Sequence, residues 1–366
     1  MNKNNQLHIC LVLDQILQHY RTPFFKRLID RGYKITIYYP EHFKKKSKTL
    51  EELDGELANS VHAVPHKFDS YFGLFYMGIK HLNQYDLVIF MQDLRVIDFW
   101  KATLNPFKTY KLIHWGIGVS SFNRKNWLTG PARNMLAGFA DSLILYSDRA
   151  KKYYRPGIQN KIAVAHNTVE NLHSEDFSGS EKDSFLFIGQ LVKRKGLPEL
   201  MLAFSDYLQD IDGSDIQNLV IIGDGEMRDK LQQLTEKLEI TDCVIFAGNV
   251  KEDKQKREYF KRAQLCISMN QAGLAVLESF SYGVPFVTTR KAITGGERFN
   301  IQHKKTGFFV ESVRDLTDLF HYSQKNRREI KRVGANAYQF YHEERSLSKM
   351  AGVFDEVIKR VINRDL

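Results

Sequence analysis

The sequence predicts an α/β protein built from two doubly wound domains, each a parallel sheet with helices on both faces. Three observations predict it. Short runs rich in Val, Ile, Leu and Phe alternate with longer helical segments along the whole chain. Glycine turns follow the apolar runs of the second half, where doubly wound sheets bind ligands. The chain has 366 residues, 43% of them hydrophobic, which is enough for two cores.

The first half offers strands at 7–13, 33–39, 86–91, 111–115, 142–146 and 161–165. Thr22-Pro23 opens the first helix, with a capping hydroxyl and a proline at the first helical position, and Gly32 ends it. The polar stretch 171–183 reads as a linker. Beyond it come strands at 184–188, 218–222, 243–247, 265–269, 285–289 and 307–310. The expected division is therefore a first domain at 1–170, the linker, a second domain at 184–345, and a last helix at 346–366 that packs back on the first domain.

Composition narrows the function. No apolar run nears the roughly 20 residues needed to span a bilayer, and the opening apolar stretch, cut off by Asp14, reads as a strand and not as a secretion signal. Cys10, Cys243 and Cys266 have no metal-site spacing, so a reduced cytoplasmic interior and no bound metal are expected. The net charge of +10 suits anionic partners, but no zinc, RNA-recognition or basic-zipper pattern accompanies it, which disfavours nucleic acid.

The densest chemistry lies at 268–288. There a strand, a turn at Gly273, a short helix carrying Glu278 and a second strand entered through Gly283 and Pro285 follow one another. A glycine lets backbone approach a ligand, and a helix start offers N–H groups to phosphates or sugar hydroxyls. Glu278 sits among apolar positions and needs a partner such as a ribose. An ordinary α/β unit with a solvated Glu is the plainer alternative. Gly189 is followed by Lys193, Arg194 and Lys195 just before a helix, a placement that makes sense if a diphosphate lies between these cations. A solvated basic loop would look the same. Gly223-Asp224-Gly225, Gly248 and Gly295-Gly296-Glu297 add three further turns, with Asp224 placed to cap the next helix.

Taken in register, Gly189 with Lys195-Gly196, Gly223-Asp224-Gly225, Phe246-x-Gly248, Gly273…Glu278…Gly283-x-Pro285 and Gly295-Gly296-Glu297…Gly307 resemble the retaining nucleotide-sugar glycosyltransferases of family 4. The resemblance runs over about residues 180–345. It implies the GT-B fold, two Rossmann-like domains facing a central cleft, with the donor nucleotide on the second and the acceptor on the first. It implies no metal and no cofactor, only a UDP- or GDP-linked sugar as co-substrate. Lys195 then corresponds to the lysine that neutralises the diphosphate, Glu278 to the ribose-binding glutamate, and Val250 lies near the base. Gly189, Gly223, Gly273 and Leu274 line the donor. His114 corresponds to a strand-end histidine near the reacting sugar, although a lone histidine also suits a packed core.

Two positions depart from the pattern. Gln190 stands where the family has an arginine, with Lys193 or Arg194 available to supply the charge. Asn270 stands eight positions before Glu278, where the family has its first glutamate, and Glu297 is a candidate substitute.

The implied reaction moves a sugar, with retention, to a hydroxyl of a glycan or lipid-linked glycan in cell-envelope polysaccharide synthesis. A noncatalytic sugar-nucleotide binder and an epimerase of the same fold stay open beside it. Tyr20, Arg21, Arg124, Lys125 and Arg133 are available to meet an acceptor. The basic run 42–48 and the aromatic run 68–82 suit peripheral attachment to the inner, anionic face of a membrane; core aromatics and solvated lysines are the alternative.

Overall fold

The computed structural model describes residues 6–15, 17, 19–41, 61–67, 69–118, 126–171, 174–211, 216–250 and 252–363. The chain divides into two compact units, 1–170 with 347–366, and 171–346.

The first unit runs β1 (His8–Val12), α1 (Thr22–Ile29), β2 (Lys34–Glu41), β3 (Val61–Lys67), β4 (Asp69–Tyr71), β5 (Leu74–Tyr76), β6 (Leu87–Met91), α2 (Ile97–Leu104), β7 (Lys111–Gly116), α3 (Asn126–Gly138), β8 (Ser142–Leu145), α4 (Asp148–Lys151), α5 (Pro156–Gln159) and β9 (Ile162–Val164). Its sheet is parallel, in the order β3-β2-β1-β6-β7-β8-β9, and β4 and β5 form a separate antiparallel hairpin. The reversal of strand order falls between β1 and β6, so their carboxyl ends flank this unit's natural binding crevice.

The second unit runs β10 (Ser184–Ile188), α6 (Leu197–Gln209), β11 (Asn218–Ile222), α7 (Arg228–Lys237), β12 (Val244–Gly248), α8 (Asp253–Arg262), β13 (Ala263–Ile267), α9 (Ala275–Ser281), β14 (Phe286–Thr289), β15 (Gly307–Val310), α10 (Val313–Lys325) and α11 (Arg327–Phe340). Its parallel sheet has the order β12-β11-β10-β13-β14-β15, with the reversal between β10 and β13. Strands buried on both faces explain the unbroken apolar runs, such as the wholly buried Ala263–Ile267.

The last helix, α12 (Leu347–Ile362), completes the first unit's core. It buries Leu347, Met350, Ala351, Phe354, Val357, Ile358 and Val361, one helical stripe. The Phe354 ring lies 4.7 Å from Phe24 and 5.2 Å from Trp115. Among the described residues no helix is long and apolar enough to cross a membrane.

Several expectations need correction. Residues 174–183 pack on the second unit: Phe177 is buried, stacks 5.9 Å from Tyr282 and donates its amide to the Tyr282 carbonyl. Gly283, at φ +67°, is required there, since a Cβ would sit 2.5 Å from Asp176 Oδ1. The strand β3 went unread because Pro65 interrupts its pattern, and proline is tolerated at the sheet edge it occupies. Within the run 68–82, residues 69–76 form a hairpin: Met77 just after it is buried, Phe75 and Tyr76 are half-buried, and Phe72 is fully exposed at the tip. Thr22 does not cap α1; the helix includes it, and its hydroxyl is buried without a partner among the described residues. The basic run 42–48, Arg124 and Lys125 lie outside the described residues.

Candidate functional site

The carboxyl ends of β10, β11, β12 and β13 bring together most of the residues singled out in the second unit. Their turns fit backbone to backbone. A Cβ at Gly223, whose φ is +133°, would lie 1.9 Å from the Gly189 carbonyl oxygen, and one at Gly225 would lie 2.5 Å from that of Leu191. Gly189 donates to Ile222, Gly223 to Gly248, and Leu191 to Asp224. These glycines therefore serve one another, letting three strand ends close into one rim. Asp224 caps its own turn through the Gly225 amide and pairs with Arg228, instead of capping α7 directly. Gly273 differs: a Cβ there would meet nothing within 4 Å, so the protein itself makes no use of the missing side chain.

Lys195 stands over this rim. It ends a short 3-10 turn, Lys193–Lys195, and a Cβ at Gly189 would lie 3.5 Å from its Nζ. Burial, and then the Arg194 charge, hold its ammonium below the ordinary lysine value. Among the described residues its ammonium has no ion-pair or hydrogen-bond partner, and Glu297 only favours its charge at a distance. A half-buried, unpaired cation is an unfavourable arrangement that an anion would relieve. Arg194 is exposed and donates to Gln271 at 3.0 Å, and Gln190 is exposed.

Asn270 and Glu278 flank Gly273. Asn270 donates from its amide to the Lys195 carbonyl and from Nδ2 to Glu199 Oε1 at 3.1 Å. Glu278, on α9, accepts from Lys256 Nζ at 3.1 Å, and Lys256 also pairs with Asp253 at 3.0 Å. Burial disfavours the Lys256 charge, but these two carboxylates hold its pKa well above the ordinary value. Val250, half-buried, packs in the cluster that contains Ala275, and Leu274 precedes α9.

Two predicted catalytic groups do not serve as expected. Glu297 is only 6% exposed and caps its own turn, accepting from Thr294 Oγ1 at 3.2 Å and the Gly295 amide at 2.9 Å. His114 is not at a strand-end surface. It is 0% exposed within β7, shares a 3.0 Å hydrogen bond through Nε2 with Thr103 and packs 4.6 Å from the Phe99 ring. Burial, with Lys108 and Lys161 nearby, depresses its pKa to about 3, so it is a neutral core residue. Arg21 and Arg133 are likewise buried, Arg21 donating to the Tyr146 hydroxyl over the Trp115 ring and Arg133 donating to Thr129.

The carboxyl ends of the first unit's β1 and β6 carry instead residues that sequence reasoning missed. Asp14 follows β1, and Gln92, Asp93 and Arg95 follow β6. Burial and then the Asp93 charge raise the Asp14 pKa to about 6, against the pull of Arg21 and Arg95. Arg95 is paired with Asp93 at 2.6 Å, and Gln92 accepts from the Tyr154 hydroxyl at 2.8 Å. Strand-end position was the available signal for Asp14 and Asp93; neither has a glycine neighbour to mark it.

Comparison with known proteins bears on the fold and the family resemblance. Residues 169–340 match the family model described as glycosyl transferases group 1. N-acetyl-alpha-D-glucosaminyl L-malate synthase of Bacillus anthracis is 26% identical over 196 residues, 50% of this chain and 49% of that protein. Alpha-monoglucosyldiacylglycerol synthase of Streptococcus pneumoniae is 28% identical over 139 residues, 37% of this chain and 29% of that protein. The chain thus spans about half the length, or less, of these curated relatives. Among solved structures, HepE of Anabaena in complex with UDP superposes with a TM-score of 0.70 at 14% identity, over 97% of this chain and 100% of that one. A glycosyltransferase from Rickettsia africae gives 0.71 at 16% identity, over 98% and 100%. The fold is GT-B, and the chain resembles the GT-B glycosyltransferases.

Proposed function

We propose that this protein is a retaining, metal-independent glycosyltransferase that moves a sugar from a UDP- or GDP-linked donor to a hydroxyl of a glycan or lipid-linked glycan. The unpaired Lys195 ammonium above the interlocked Gly189 and Gly223 turns carries the reading. A diphosphate would satisfy that cation, and the same charge would stabilise the nucleotide as it leaves. Open space at Gly273 gives a donor backbone to approach, and Glu278 offers a carboxylate to a ribose. In the family's retaining chemistry the departing diphosphate takes the acceptor's proton, so no dedicated base is demanded.

The relatives support the substrate class. HepE is named in complex with UDP, and the streptococcal relative is named a glucosyldiacylglycerol synthase, which favours UDP and a cell-envelope acceptor. The acceptor would use the first unit's strand ends, near Asp14 and Asp93. A cytoplasmic protein, peripheral on the inner membrane face, fits an acceptor of that kind.

The test is titration calorimetry with UDP, GDP and their sugars, followed by nucleotide release with and without chelator and by the anomeric configuration of the product. Saturable binding, chelator-insensitive release and a retained anomer are expected. Binding without release under every acceptor would replace this reading with that of a noncatalytic binder. An inverted product would remove the retaining mechanism.

A further inference from the structure

We propose that the second unit carries a further binding site, at the amino ends of β10, β13 and β14, that takes a small organic phosphomonoester. The site is separate from the donor rim, which lies at the carboxyl ends of the same sheet.

The cavity is built by close backbone contact. α11 is seated on the turn that enters β14: a Cβ at Gly334 would lie 2.2 Å from the Gly283 carbonyl oxygen and 3.1 Å from Ser178 Cβ. Gln264 is 2% exposed and ties β13 to the end of α10, donating to the Ser323 carbonyl at 2.6 Å and accepting from Gln217 at 2.6 Å. Lys182 donates to the Lys261 carbonyl at 3.0 Å. The space left between these elements is about 270 Å³, with Pro285 and Ile330 among its apolar walls. A void of that size suits a ligand smaller than a nucleotide.

Charge marks this cavity. Lys182, Arg327, Arg328 and Lys331 line it against one carboxylate, Glu181. Among the described residues the side chains of Arg327, Arg328 and Lys331 have no ion-pair or hydrogen-bond partner. The Lys331 ammonium hangs over Gly179, where a Cβ would come within 3.1 Å of Nζ. Burial holds the Lys182 pKa down to about 7, against the pull of Asp176 and Asp183. Arg327 and Arg328 are also the first two residues of α11, a helix of 14 residues, so their charges oppose its dipole. Asn326 gives that helix no side-chain cap, and the Arg327 and Arg328 amides have no acceptor among the described residues. Unpaired cations, uncapped amides and a lysine with a disfavoured charge would all be relieved by one anion.

The ligand class follows from the walls. A phosphomonoester brings nearly two negative charges and three acceptor oxygens, which suit guanidinium forks and backbone amides together. A carboxylate brings less charge and fewer acceptors to the same four cations. The organic part of the ester would cover Pro285 and Ile330, which an inorganic ion would leave wet.

The experiment is titration calorimetry of the full chain with phenyl phosphate at physiological salt, with UDP at saturation, and again in Lys195→Ala to silence the donor rim. A dissociation constant below about 1 mM is expected in both. Arg328→Gln combined with Lys331→Gln should weaken binding by about tenfold or more, and inorganic phosphate should bind at least about fivefold more weakly than phenyl phosphate. Lys237→Gln combined with Lys349→Gln removes the same charge from exposed positions elsewhere and should leave affinity within about twofold. The cavity variant should melt no lower than wild type, since it removes a charge that opposes the helix dipole. Should it melt lower, Arg327→Gln alone, read in the same way, decides. No binding by wild type, undiminished binding by the cavity variant, or an equal loss in the distant pair would overturn the site. Inorganic phosphate binding as tightly as phenyl phosphate would overturn the organic ligand. A wild type that binds no UDP would bear on the proposed function alone, because the Lys195→Ala titration reads this cavity without it.

Discussion

The two units have similar sheets but opposite ways of furnishing their strand ends. In the second unit the rim is made of backbone: Gly189, Gly223 and Gly225 fit against one another, Gly273 is left open, and a single lysine supplies charge above them. In the first unit the corresponding ends carry charged and polar side chains, Asp14, Gln92, Asp93 and Arg95. Backbone amides recognise what many ligands share, such as a diphosphate. Side chains recognise what distinguishes one ligand from another. The contrast therefore suits a unit that takes a common donor and a unit that selects an acceptor.

Substitutions can break or sharpen this contrast. The largest effect is expected at Lys195. Lys195→Ala should lower turnover by roughly 10²–10³-fold with little change in melting temperature, because its charge has no partner until an anion arrives. The pH dependence has a definite sign. The free lysine is already below its ordinary value of 10.5, diphosphate binds its protonated form, and so nucleotide affinity should fall as pH rises through that lowered value. Calorimetry between pH 7 and 10 would check it, and a flat profile in wild type would remove Lys195 from the site.

Gly223→Ala comes next. The new Cβ would meet the Gly189 carbonyl at a position already at φ +133°, and a loss of about 3 kcal/mol in unfolding free energy is expected, with weakened nucleotide binding. Chemical denaturation measures the first and calorimetry the second. Unchanged stability would mean that the turns do not interlock.

His114→Ala should cost about 2–3 kcal/mol of stability while leaving nucleotide affinity untouched, since it empties a core site beside Phe99 and Thr103. With a pKa of about 3 in the folded protein, His114 should contribute nothing to the activity profile between pH 5 and 8.

The smallest effect is at Asp14. Its folded pKa of about 6 lies above the ordinary 3.8, so its stability contribution is favourable at low pH and is lost as pH rises through about 6. Asp14→Asn should therefore stabilise the protein by about 1–2 kcal/mol at pH 8 and leave donor binding unchanged, while acceptor KM rises. A stabilised variant with wild-type acceptor KM would take Asp14 out of the acceptor's site.

The same contrast explains what could be read from the sequence. Both sheets and most of their strands were legible, because strands buried on two faces write continuous apolar runs. The glycine turns at the second unit's strand ends were legible as well, because glycine is conspicuous. The pairs were not. Glu199 on Asn270 and Lys256 on Glu278 join residues 71 and 22 positions apart, and nothing in either segment marks its partner. His114 misled for the reverse reason: its strand and neighbours are those of a site, but its ring lies under α2, a matter of side-chain direction that alternation alone did not resolve. Glu297 sits beside two glycines, yet its carboxylate is used by the turn that they make.

The final helix has a consequence for how the protein is made. Because Phe354 and its neighbours fill the space beside Phe24 and Trp115, the first 170 residues leave the ribosome with part of their interior still unmade. The later-synthesised segment 171–346 contains its own core, so it can fold before the earlier one is finished. The first unit should therefore be completed after the second, with an exposed apolar groove awaiting residues 347–362.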